Sequence, residues 1–346
     1  MTMRKITLSM AVLLVLAAGF FVVTWIQNRP TTLSTPSAPL RVYHIGVLSR
    51  GHGSYEVAIR GFQDQMRELG YIEGQNVTYD VRYVSTKEEL DQTAQDFVNA
   101  GVDIIGTYST PATQAAYQAT QKMLNPIPIV FGSLSDPIAA GVVKSIEQPD
   151  TNVTGVTSLA SDLTPKRIEL LTRIVPGIKK IAMPRSAVEL NDIAVNRSAA
   201  LAEQTAKKLG IELVFFPVRT KEENASNAAS ITAQKAQGMI VGGDSLVWGG
   251  LGDYVNQAIK EKIPFSAFDT DQVKRGALVG FGPDYTVMGQ QVAVMSDKII
   301  KGKKPGNIPV ETPRKLLLTI NLDTARAIGI TLDPELLKEA EVIIGK

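Results

Sequence analysis

Beyond Arg41 the chain repeats one pattern: a short run rich in Val, Ile, Tyr or Phe, a polar turn, then a longer segment whose apolar residues recur every three or four positions. Consecutive parallel strands need a connection long enough to cross a sheet face, and a helix usually supplies it. The alternation therefore predicts parallel sheets covered by helices. Strands are expected at Tyr43 to Leu48, Val77 to Val81, Ile104 to Thr107 and Ile127 to Phe131. Ala58, Phe62, Met66 and Leu69 form the buried stripe of the first helix, which Gly70 ends, and Leu90, Ala94 and Phe97 form the next. A second series begins near Lys180, with strands at Ile181 to Met183, Glu212 to Phe216, Met239 to Val241 and Pro264 to Phe268. Its helical stripe includes Val195, Ala199, Ala202, Ala206 and Leu209. Two similar α/β halves predict two lobes with a cleft between them. In open parallel sheets a ligand lies beyond the carboxyl ends of the strands, so the cleft should be lined by the loops that follow each strand.

A chain of 346 residues is long enough to bury two cores. Its 36 basic and 34 acidic residues leave a net charge of +2, which gives no field for a nucleic-acid partner. The absence of cysteine removes disulfides, thiol nucleophiles and a lipid-modified N-terminal cysteine. His44 and His52 are the only histidines, too few for a multi-histidine metal site or a histidine-based triad. Gly243-Asp244-Ser245-Leu246 spells a serine-esterase signature, but no histidine follows His52 to act as base. Gly51-x-Gly53 places Glu56 where a dinucleotide fingerprint has its third glycine, and no GxxxxGK[ST] or HExxH stretch occurs. The expectation is a binding protein with no catalytic residues, no metal and no cofactor.

Arg4 and Lys5 precede an apolar run from Ile6 to Ile26, roughly 20 residues and long enough to span a bilayer. Basic residues stay cytoplasmic, so the rest of the chain is expected to be exported. Ala17-Ala18-Gly19 offers a cleavage site for a signal peptide, while Phe20 to Val23 continue the apolar run as an uncleaved anchor would. Residues 1–26 are thus read as a signal peptide or signal-anchor helix, giving a membrane contact if uncleaved. Residues 27–40, with Pro30, Pro36 and Pro39 among Ser and Thr, are read as a linker.

The loops after the strands are small and polar, and several lead into a helix, where unpaired backbone N–H groups favour an anion. The residues singled out as ligand-binding are Ser49, Gly53 and Ser54 after the first strand, Ser109 and Thr110, then Ser133 and Asp136. Glu189, Asp244 and Asp269 are singled out in the second half. Asp136 precedes Pro137 and either fixes a turn or touches ligand. Trp248 and Tyr108 flank polar loops and could stack on an aromatic solute.

Read in order, Gly61-Phe62 with Leu69 to Val77, Thr110-Pro111-Ala112, Pro128 to Phe131, Ser135-Asp136-Pro137 and Asn152 to Val156 resemble the ABC-transporter substrate-binding family typified by tryptophan/tyrosine uptake receptors. The resemblance continues through Ile263-Pro264-Phe265, Lys274 to Leu278, Tyr285 with Gly289, Ile308-Pro309-Val310 and Ile320-Asn321-Leu322. It implies a type I periplasmic-binding-protein fold: two lobes, each a parallel sheet flanked by helices, joined by three crossings near Val156 to Leu159, Phe281 to Pro283 and Val310 to Arg314. Lobe 1 would comprise residues 41–157 with 282–311, and lobe 2 residues 158–281 with 312–346. The resemblance also implies capture of a small-molecule solute for an ABC permease with a separate ATPase. A membrane-anchored ligand-sensing module for a signalling partner is the alternative. Carried over residue by residue, Thr110 with Ser109 matches a site for a ligand carboxylate and Asp244 one for a ligand ammonium. Glu189 matches a family acidic position, whereas Ser245 replaces the usual asparagine and Gly51-His52-Gly53-Ser54 replaces a His-Pro step.

Overall fold

The computed structural model describes residues 41–187 and 192–345; the apolar N-terminal run, the linker and Glu189 lie outside them. The first series contains β1 (Tyr43–Arg50), α1 (Ser54–Glu68), β2 (Val77–Val84), α2 (Lys87–Ala100), β3 (Ile104–Tyr108), α3 (Thr110–Thr120), β4 (Ile129–Leu134) and β5 (Val153–Thr157). The second opens with α4 (Thr164–Ile174), β6 (Lys180–Ser186), α5 (Ile193–Leu209), β7 (Glu212–Val218), α6 (Glu223–Ala229) and β8 (Gly238–Ile240). It continues through α7 (Ser245–Gly249), α8 (Leu251–Lys260), β9 (Phe265–Ala267), α9 (Thr270–Lys274) and β10 (Val279–Pro283). Then come α10 (Tyr285–Ile300), β11 (Leu316–Asn321), α11 (Leu322–Ile328), α12 (Pro334–Glu339) and β12 (Val342–Ile344). Among the described residues no helix is long and apolar enough to cross a membrane.

Lobe 1 is a five-stranded parallel sheet in the order β2-β1-β3-β4-β5. Side-chain alternation divides its core in two. Ile45, Val47, Ile104, Tyr108 and Val130 face one side with α1 and α10, and Leu48, Ile105, Ile129 and Phe131 face the other with α2 and α3. Helix α10 follows a strand of the other sheet and returns to pack on α1. The approach is close: a Cβ on Gly61 would lie 2.5 Å from the Thr286 carbonyl oxygen, and one on Gly289 only 1.9 Å from that of Ala58.

Lobe 2 is a seven-stranded sheet, β12-β11-β10-β9-β8-β6-β7. It departs from the all-parallel expectation, because β10 and β11 pair antiparallel from Val279 with Ile320 to Pro283 with Leu316. The chain leaves lobe 2 after β10, builds α10 in lobe 1, and comes back to lay β11 alongside the strand it left. The third crossing starts next to β5, where Glu311 donates its N–H to Gly155 and accepts from Thr157, each at 2.9 Å.

The eight expected strands all occur, with ends shifted by a few residues, and β5, β10, β11 and β12 add to them. The stripes Ala58, Phe62, Met66 and Val195, Ala199, Ala202, Ala206 are buried. Leu69 and Leu209, expected to complete them, are 37% and 45% exposed. Each sits at the end of its helix, where the following Gly70 or Gly210 turns the chain through positive φ and rotates it off the buried face.

Candidate functional site

The carboxyl ends of β1, β3 and β4 face those of β8 and β9 across the cleft, enclosing two adjoining cavities of ≈ 390 Å³ and ≈ 20 Å³ that share Tyr55, Ser245 and Trp248. The larger volume falls within the range of ordinary small-molecule sites. The lobes touch directly around it. Ser54 donates to the Asp269 carboxylate at 2.6 Å, and Arg197 on α5 pairs with Asp136 of lobe 1 at 3.0 Å and with Asp162 at 2.7 Å. The cleft is therefore closed.

On the lobe 1 side, β1 runs into a loop whose Gly51 and Gly53 take φ of 82° and 77°, a conformation that glycine adopts without a Cβ penalty. Buried Ser49 donates to the Gly51 carbonyl at 2.9 Å, so its hydroxyl shapes this loop and lines neither cavity. Gly53 and Ser54 line the larger cavity; a Cβ on Gly53 would come 3.3 Å from Asp271 of lobe 2. Ser109, Thr110 and Ser133 line the smaller one. Ser109 has φ 110° and ψ 157°, and Ser133 has φ 69°, conformations that residues bearing a Cβ rarely adopt. Two such serines on one small cavity mark stored backbone strain in the lobe 1 wall of the cleft. Ser109 also caps α3, accepting from Ala112 N–H at 3.3 Å through its hydroxyl and from Thr113 N–H at 3.1 Å through its carbonyl, while Pro111 carries no N–H.

On the lobe 2 side the two acidic candidates part company. The buried Asp244 carboxylate accepts from Ser186 through both its backbone N–H and its hydroxyl, and from the Leu246 and Val247 amides at 3.0 and 3.2 Å. It holds β6 to the start of α7 and lines neither cavity. Asp269 lines the larger cavity, 2% exposed, and caps α9 through Gln272 N–H at 3.0 Å. Burial pushes its carboxyl up to about 6, against the lowering effect of the Ser54 and Gln272 hydrogen bonds. A buried carboxylate that is costly to ionise and faces a cavity is a ready partner for a cationic group.

The aromatic wall is layered. The Trp248 ring, whose indole N–H donates to the Gly242 carbonyl at 3.0 Å, stacks on Phe268 with centroids 5.1 Å apart. The buried Arg167 guanidinium lies 4.6 Å from the Phe268 centroid on the lobe 2 side. Tyr108 lines neither cavity; it backs Tyr55 with ring centroids 6.4 Å apart. Asp136 lines neither cavity as well, bound to Arg197 and to the Ala139 amide at 2.9 Å. Glu189 lies outside the described residues. Lining residues that sequence reasoning passed over include Tyr55, which reads as one more apolar position of α1, and Arg50, Lys221 and Arg275, basic residues that no motif sets apart. Among the described residues no cluster of His, Asp and Glu could hold a metal ion.

Comparison with known proteins agrees with this architecture. A tyrosine-binding protein of Clostridioides difficile (strain R20291) is 32% identical over 281 residues, covering 81% of this chain and 78% of the relative. The structure of an ABC domain in complex with L-Trp from Streptococcus pneumonia matches at 27% identity with a TM-score of 0.79, covering 88% of this chain and all of that one. The ligand-free, open structure of a substrate-binding protein with adhesive properties from Clostridium difficile matches at 26% identity and the same coverage of this chain, but with a TM-score of only 0.66. The better fit to the complex agrees with the direct contacts between lobes seen here. Two helix-flanked, mainly parallel sheets joined by three crossings are the type I periplasmic-binding-protein fold. The family model for the ABC transporter substrate binding protein spans residues 45–344, nearly every described element, and the chain belongs to that family.

Proposed function

We propose that this protein captures a free amino acid or a related zwitterion outside the cytoplasm, by closing its two lobes over it, and presents it to an ABC permease driven by a separate ATPase. The observation that carries the reading is the position of Asp269: a buried, hard-to-ionise carboxylate on lobe 2 facing the larger cavity, while the adjoining smaller one is lined on its lobe 1 side by the hydroxyl residues Ser109 and Thr110, at the N-terminus of α3, and Ser133. A zwitterion matches both. Its carboxylate pairs with the Ser109, Thr110 and Ser133 side of the cleft, and its ammonium pairs with Asp269 in place of Asp244, which accepts four hydrogen bonds and lines neither cavity. Opposite charges gripped by opposite lobes put the binding energy into closure. Trp248 stacked on Phe268 supplies a flat apolar surface for the side chain, which favours aromatic amino acids. The basic N-terminus and apolar run support export, with residues 1–26 acting as signal peptide or membrane anchor.

Isothermal titration of the intact protein against the L-amino acids tests this. Saturable binding of one or more of them, strongest for tyrosine, tryptophan or phenylalanine and weak for their amides and N-acetyl forms, is the expected result. Equal binding of the blocked forms would remove the zwitterion from the reading.

A further inference from the structure

The larger cavity extends from the shared Tyr55, Ser245 and Trp248 wall into a region bordered by cations of both lobes: Arg50 from the end of β1, and Lys221 and Arg275 from lobe 2. The negative groups there are already committed. Asp269 takes the Ser54 hydroxyl and, on the reading above, the ligand ammonium, while Asp271 sits 4.0 Å from Arg275. His52 is tied to Glu56 and stacked on Tyr83 at 4.4 Å. Arg50 is half-buried, and neither it nor Lys221 forms an ion pair among the described residues. Closure thus brings an uncompensated charge of lobe 1 and one of lobe 2, both positive, onto the same cavity. Like charges converging on one cavity oppose closure unless an anion enters between them.

We propose that the solute, bound by its zwitterionic head as above, carries a second anionic group at the far end of its side chain, and that Arg50 and Lys221 receive it from opposite lobes. This inference rests on the amino-acid reading and narrows it to acidic or acid-substituted side chains of aromatic length. The preference is electrostatic, because both cations retain access to solvent and their pull is screened by salt.

The test compares L-phenylalanine with 4-carboxy-L-phenylalanine and 4-aminomethyl-L-phenylalanine, three solutes of one scaffold differing in terminal charge, by titration calorimetry on the intact protein. The expected result is a Kd for the carboxylate about tenfold or more below that for phenylalanine, with the aminomethyl compound weakest. Arg50→Gln and Lys221→Gln should each bring the carboxylate-to-phenylalanine ratio toward unity, as should high salt. Phenylalanine binding as tightly as the carboxylate would overturn the second anion while leaving the amino-acid reading in place. A ratio unmoved by either substitution would overturn the assignment to Arg50 and Lys221, and failure of all three solutes to bind would overturn both readings.

Discussion

Replacing Asp269 with Asn keeps the size of the side chain and an oxygen for the Gln272 amide, but removes the charge. With the carboxyl raised from 3.8 to about 6, the ionised group destabilises the ligand-free fold at neutral pH by about 3 kcal/mol, at about 1.4 kcal/mol per pH unit of displacement. Because the folded-state value is raised, this penalty is absent below the unfolded pKa, grows as pH rises between about 4 and 6, and stays constant above. Asp269→Asn should therefore raise the melting temperature of the empty protein at pH 7.5, by up to about 5 °C for a domain of this size. It should also flatten the pH dependence of stability across that window. In the complex proposed above the same carboxylate would face an ammonium, and losing it should cost about 2–5 kcal/mol, or about 30-fold to several thousand-fold in Kd. Calorimetry of the empty protein and titration with tyrosine or tryptophan read the two effects separately. A gain in stability joined to a loss of affinity marks a group held against folding for the sake of binding. If Asp269→Asn binds as tightly as the wild type, or loses stability and affinity together, the assignment fails.

In the wild type, affinity for an amino acid should fall about tenfold per pH unit below about 6, as protonation of Asp269 competes with the ammonium, and be flat above; titrations across pH check this. Trp248→Ala should weaken aromatic amino acids by about 1 kcal/mol or more and leave any aliphatic ligand less affected, read from the ratio of their Kd values. Arg197→Ala removes a half-exposed link between lobes worth about 0–1 kcal/mol, so solution scattering should register a shift toward the open form and affinity should drop by no more than about fivefold. Gly289→Ala drives a methyl into the Ala58 carbonyl and should cost about 3 kcal/mol or more, read by denaturant unfolding.

Strands such as Tyr43–Arg50 and Ile104–Tyr108 are legible in the sequence because burial on both faces writes a run of β-branched and aromatic residues, and helical stripes such as Ala58, Phe62, Met66 because their period is local. The return of α10 to lobe 1 and the antiparallel pairing of β10 with β11 depend on which sheet a segment joins, and no local pattern encodes that. Asp244 and Asp269 pose the same difficulty in miniature. Each follows a strand and caps a short helix, so the sequence makes them equivalent. What separates them is distant in the chain: Ser186 on β6 occupies Asp244, whereas Asp269 looks across the cleft at Ser54. The strained serines were nameable as polar loop residues, but their positive φ is fixed by the surrounding lobe.

The glycine-floored crossing of α1 and α10 has a consequence for biogenesis. Lobe 1 begins the described chain, yet the helix covering one face of its sheet is not synthesised until all of lobe 2 up to β10 has been made. Until Tyr285 to Ile300 emerge, Ala58, Phe62 and Met66 have no α10 to pack against, and the first core cannot close. Such long-range docking slows folding relative to synthesis. For the export proposed above that delay is an advantage: the polypeptide would reach the translocation machinery unfolded and threadable, and would acquire its final shape only after crossing the membrane.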